Sequence, residues 1–208
     1  MRYLADVQPL AFGGSSYVAW RVTVSMQRHM SLTLDIKTVQ ANARLMHAVG
    51  NLDYSIVEMD DGYIQYRFDC GSGEGFAKSN AIRVNDGLWH RVLVERNSRS
   101  AKITIDDTHT AEGSAPYGNS VLNLDHNYVY FGAQVAANDV ADGFVGCLKA
   151  ISLSNQELPL TGSNGVGVLQ DLSGVEFHCR GLYLEGKQTD RTKYENKEYI
   201  TCKQSLKD

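Results

Sequence analysis

The sequence predicts an all-β fold, a sandwich of two antiparallel sheets. Three observations lead there. Polar and apolar residues alternate with a period of two in run after run. Turn signals recur at roughly ten-residue intervals, a spacing typical of sandwiches. No run of about 11 or more residues joins helical spacing to good caps. Such alternation arises when one face of each strand packs inward and the other meets water.

Taken in order, Ser31-Leu32-Thr33-Leu34-Asp35-Ile36-Lys37 alternates cleanly and reads as a half-buried strand. Residues 40–47 are the best helical candidate, yet residues 44–49 also read as a strand. Residues 54–59 and 63–69 are alternating runs around Asp60-Asp61-Gly62, and an Asp-Gly pair between such runs signals a hairpin. Residues 89–95 and 102–105 form a second pair about Asn97-Ser98-Arg99-Ser100. Residues 128–131 and 144–153 add two strands. Residues 134–143 and 161–167 read as loops. Trp89, at a strand start, is most simply a core residue, because large aromatics dominate core burial. Residues 1–180 read as one domain and 181–208 as a C-terminal extension, packed on it or beginning a linker.

The chain of 208 residues is 43% hydrophobic and 21% charged, which places it among globular proteins rather than disordered ones. Its net charge of -4 lends no support to nucleic-acid binding, which needs a basic face. No stretch approaches the roughly 18 apolar residues needed to cross a bilayer, so no direct membrane insertion by this segment is expected. Met1-Arg2 is followed by mixed residues rather than an apolar run. That fits a cytosolic protein or a domain of a larger secreted chain. The four cysteines, Cys70, Cys147, Cys179 and Cys202, lack the paired spacing of a zinc or redox site. By composition they suit either two disulfides or free core thiols.

Several segments, in order over residues 5–180, resemble the laminin G-like (LNS) family. Asn85-Asp86-Gly87-Leu88-Trp89-His90-Arg91-Val92 is similar to its turn-then-strand segment. Arg96 and Ile103-Thr104-Ile105-Asp106-Asp107 follow at the right distance, with Asp107 where glycine is usual. Phe144-Val145-Gly146-Cys147-Leu148 matches a third segment, and Cys179 resembles the partner cysteine near the domain end. Residues 66–73, 122–125 and 155–160 look most like the domain of Fat-type atypical cadherins, with neurexin and Flamingo-type domains as near alternatives. The resemblance implies a concanavalin-like jelly roll and a Cys147–Cys179 disulfide. A Cys70–Cys202 pair would staple the extension back, the alternative being Cys70 as a buried free thiol.

The family's calcium-binding members hold the ion at one rim. The resemblance puts the Asp53 carboxylate, the Cys70 and Leu122 carbonyls, and Asp125 there as the ligands of a Ca2+ site. Calcium prefers six to eight hard oxygen ligands, and sandwich loops supply them. The plainer reading makes Asp53 a turn residue capping a strand. Glu58 and Asp60 are the best candidate for a glycosidase pair, but they sit at the lip of a tight turn. Gly71-Ser72-Gly73-Glu74-Gly75 precedes no helix and reads as a hairpin loop rather than a phosphate cradle. Arg91, Arg96, Arg99 and Lys102 suggest either a small heparin patch or ordinary solvated charges.

The expected protein is therefore a non-enzymatic extracellular module of a large cell-surface receptor, or of secreted matrix. It would bind a protein or glycan at a loop rim near Asp53, residues 71–75 and residues 134–143, with calcium as the candidate cofactor. As an isolated domain it is expected to be monomeric. A structural spacer and a carbohydrate-active enzyme are the alternatives.

Overall fold

A computed structural model describes residues 8–124, 127–133 and 143–179. Every regular element there is a strand. The first layer runs in the order β1 (Leu10–Gly13), β12 (Val145–Leu153), β3 (His29–Lys37), β8 (His90–Asn97), β9 (Ser100–Ile105), β10 (His109–Ser114). The second runs β7 (Glu74–Lys78), β6 (Tyr63–Asp69), β5 (Tyr54–Asp60), β4 (Ala43–Val49), β11 (Tyr128–Gly132), β2 (Tyr17–Val22), β14 (Gly167–Ser173). The short β13 (Gln156–Glu157) folds back on β12. All pairings are antiparallel. The layers touch at one register pair, Ser114 opposite Phe76, and on the far side Ala11 bridges Glu176. Those two links blunt the sheet edges that would otherwise offer unpaired backbone to other chains.

The alternation does what the sequence requires. In β3, Met30, Leu32, Leu34 and Ile36 are buried while their neighbours are partly exposed. Val92 and Val94 of β8 and Ile103 and Ile105 of β9 join them. The second layer answers with Met46, Val57, Tyr66, Phe68, Trp20 and Phe131. Trp20 meets Phe131 edge-on at 5.5 Å, and its indole N–H donates to the Pro159 carbonyl at 2.7 Å, so its polar atom is satisfied inside the core.

Of the two readings open for residues 40–49 the strand one holds, since residues 43–49 are β4 and pair with β5 and β11. One expectation needs correction. Trp89 is half-buried and outside the core, with the Lys149 ammonium 4.3 Å from its ring centroid. The parity of β8 explains it: Val92 and Val94 face inward, so odd-numbered positions face out. Cys147 and Cys179 form a disulfide, their Cα atoms 5.9 Å apart. It closes a loop across a separation of 32 residues, worth roughly 3–4 kcal/mol in chain entropy. Cys70 is a buried free thiol, and Cys202 lies outside the described residues.

Two histidines respond to acid in opposite senses. His47 is buried beneath the stacked ring of Tyr130, 4.9 Å away. Burial, helped by the nearby Arg44 charge, pushes its pKa down to about 4. His90 bridges two loops, with Nδ1 2.8 Å from Asp106 and Nε2 3.0 Å from Asp86. Burial works against its charge, but hydrogen bonds to Asp106 and Asp86 prevail and hold its pKa above the usual range. The imidazolium alone can donate from both nitrogens.

Trp20→Ala should lose about 3–5 kcal/mol in denaturant unfolding. Trp89→Ala, losing one partly solvated cation–π contact, should lose under about 1 kcal/mol; comparable losses would contradict the assignment of the core. His47 in its neutral form contributes stability above pH about 6.5, lost as pH falls toward about 4 and worth roughly 3 kcal/mol in full. The His90 contribution is complete below the unfolded value and is lost as pH rises through its raised folded value. Unfolding curves of His47→Gln between pH 4 and 8 should therefore be flatter on the acid side than those of the parent.

Candidate functional site

One end of the sandwich gathers the loops that carry the oxygen-rich residues. The β5–β6 hairpin puts Tyr54 opposite Asp69, so Asp53 and Cys70 flank its open end. The segment after β10 reaches the same rim. There Asp53 is only 6% exposed, and its Oδ2 accepts from the Asn123 backbone N–H at 2.7 Å and from Asn123 Nδ2 at 3.0 Å. Its other oxygen, Oδ1, lies 3.5 Å from where a Gly71 Cβ would stand. Among the described residues no basic side chain pairs with Asp53.

The neighbouring loops are tied to one another. Asp69 Oδ1 accepts from the N–H groups of Gly71, Ser72 and Gly73, at 2.7 to 3.2 Å. Asn119 N–H donates to Ser72 Oγ at 2.8 Å. Gly50 N–H donates to the Asp53 carbonyl at 2.8 Å, and a Cβ on Gly50 would stand 2.0 Å from the Asn123 carbonyl oxygen. Glycine at position 50 is thus what lets the two loops touch. Burial pushes the Cys70 thiol up, Arg96 opposing and Asp53 adding to it. The sulfur therefore stays a thiol at neutral pH, and only the Cys70 backbone is offered to the rim.

Three of the four residues assigned to the ion, Asp53, Cys70 and Leu122, fall on this rim. Asp125 lies outside the described residues. Among the described residues no hydrogen bond takes the Cys70 or Leu122 carbonyl. One carboxylate oxygen and two carbonyls make an all-oxygen donor set, which fits calcium chemistry and not zinc. Asn123 escaped the sequence reading: no periodicity marks a loop residue that clamps a carboxylate from another loop.

Other sequence candidates do not assemble. Residues 134–142 lie outside the described residues, but the flanking Ala133 and Gly143 bond to Ser16 and Gln40 at the opposite end from Asp53. Glu74 and Gly75 belong to β7 rather than to the loop. Glu58 is held by Gln65 and Arg67, and Asp60 by Lys78, which accounts for both acids as strand-surface ion pairs. The proposed basic patch is dispersed. Arg91 pairs with Asp35, Arg99 stacks on Tyr117, and Arg96 is only 2% exposed.

The laminin G domain model matches residues 36–156, more than half of the chain. This chain belongs to the laminin G domain family. It is 36% identical over 184 residues to the Fat-like cadherin-related tumor suppressor homolog of Drosophila melanogaster, covering 82% of this chain and 4% of that protein. It is 44% identical over 156 residues to protocadherin Fat 1 of Homo sapiens, covering 71% and 3%. Its fold is similar to that of domains LG4-5 of the mouse laminin alpha1 chain, with a TM-score of 0.71 at 18% identity over 86% of this chain and 48% of that one. The chain thus spans a few per cent of the curated relatives it matches, and the jelly-roll sandwich is common to the solved structures.

Within this laminin G domain, Asp53→Ala should strand both Asn123 donors and cost about 1–3 kcal/mol. Asp53→Asn, which keeps an acceptor oxygen, should cost less. Urea unfolding of the two variants checks this, and a neutral Asp53→Ala would show that the clamp contributes nothing.

Proposed function

We propose that this laminin G domain is an extracellular recognition module of a large adhesion receptor, engaging a protein or glycan at the Asp53 rim without catalysing a reaction. The observation that carries it is the rim's surface. Leu52 is 85% exposed and Tyr117 is 92% exposed, on loops that adjoin a buried carboxylate with no basic partner among the described residues. Exposed large apolar side chains beside a rigid polar site are what a docking surface presents. The cadherin relatives and the disulfide, which forms in oxidising compartments, support the extracellular setting.

Asp53, the Cys70 and Leu122 carbonyls, and Asp125 would hold a calcium ion. Such an ion supplies a fixed positive charge able to bridge an acidic group on the partner. The chain's own part is to hold the oxygens: Asn123 orients Asp53, and Asp69 shapes the turn that follows Cys70. With few formal charges in the site, affinity should be of the extracellular-module order, roughly 10⁻⁴–10⁻³ M.

Calorimetric titration with millimolar calcium should show binding in that range, abolished by Asp53→Ala. Capture of cell-surface ligands by the isolated domain should fall with chelator and with the Leu52→Ser, Tyr117→Ser double variant. Absence of calcium heat would remove the ion. Capture indifferent to both the chelator and the double variant would remove the rim.

A further inference from the structure

Arg96 lies in β8 in phase with Val92 and Val94, and this phase carries its side chain into the sandwich. A buried arginine ordinarily has a carboxylate partner. Among the described residues this one has none. Its guanidinium is solvated by carbonyl dipoles instead. Nη1 donates to Ser98 O at 2.9 Å, and Nη2 donates to Gln27 O at 3.1 Å and to Met26 O. Its plane lies over the Phe68 ring, 5.6 Å from the centroid.

Those carbonyls belong to the structure of the rim. Gln27 O also accepts the Leu122 N–H at 2.8 Å. The next residue, Asn123, makes both clamps on Asp53. Arg28, beside Gln27, accepts the Ser98 N–H on its carbonyl and donates from Nη1 to Ser120 Oγ at 3.1 Å. A short relay of hydrogen bonds therefore runs from the buried guanidinium, through the β2–β3 loop, to the segment that orients Asp53.

We propose that Arg96 is the positioning residue of the rim: its buried fork fixes residues 26–28, and through Gln27 O it sets where Leu122 and Asn123 stand against Asp53. The fork is what the position demands. One planar group reaches the Ser98 carbonyl on one side and the Met26 and Gln27 carbonyls on the other, while a lysine ammonium is a single point with a different reach. The charge is retained inside because both Nη nitrogens are used at three carbonyls and the face lies at an aromatic ring, while Nε–H has no hydrogen-bond partner among the described residues. This placement matters for recognition only if the rim is the binding site, but it stands or fails without any ligand.

The test is hydrogen exchange on the calcium-free domain, comparing the parent with Arg96→Lys and Arg96→Met. In both variants the amides of Ser98, Leu122 and Asn123 should exchange about tenfold faster or more, as expected for loss of charge-assisted anchoring. Amides of β4 and β5 should change by less than about twofold, within ordinary local variation. A uniform rise across β4, β5 and the rim in Arg96→Lys would mean a general structural role and overturn the proposal. Unchanged exchange at Leu122 and Asn123 in either variant would overturn it as well. Because no calcium or partner is present, either failure is separate from failure of the rim as a binding surface.

Discussion

A strand has two faces, and in this chain one face of most strands is apolar. Two sheets with such faces have one economical arrangement, which is to cover each other. Everything else follows from that mutual covering. Trp20 and Phe131 from one layer and the Leu32–Leu34–Ile36 row from the other are among the contacts it creates. The turns are pushed to the two ends, where backbone polar groups can reach water or one another. The rim is therefore a by-product of closing the core, and its chemistry is set by which loops the strand order brings side by side.

Parts of this order are legible in the residues themselves. Strands β3, β6 and β8 carry a clean alternation, and the Asp61-Gly62 turn announces the β5–β6 hairpin. Strand β10 announces nothing, because both its faces are at least partly exposed and no apolar phase is left to read. Strand β7 is short and contains a glycine that lies close against Phe68 and Ala115. The placement of Asp53 beside Cys70 was readable because a single hairpin sets it. The contact with Asn123 was not, since it joins loops 70 residues apart that no local pattern links.

Trp89 and Arg96 are where residue type misleads, since by type an aromatic belongs inside and a cation outside. The backbone follows phase instead. Even-numbered positions of β8 point inward, so the cation is enclosed and the tryptophan is left at the surface under Lys149. A pleated strand enforces this alternation at the level of the main chain, and a side chain against type must then find partners where it lands. Arg96 finds carbonyls and a ring; Trp89 finds an ammonium.

The cystine also decides how the domain carries mechanical load. Leu10 and Ala11 lie opposite Leu148 and Cys147, and Cys147 is covalently joined to Cys179. Tension applied near residues 10 and 179 thus meets on adjacent rungs of the same ladder, prying β1 away from β12 one rung at a time. The intervening residues include β13, β14 and most of β12. The covalent link thus bypasses residues 148–178, which such a pull reaches through the Ala11–Glu176 bridge.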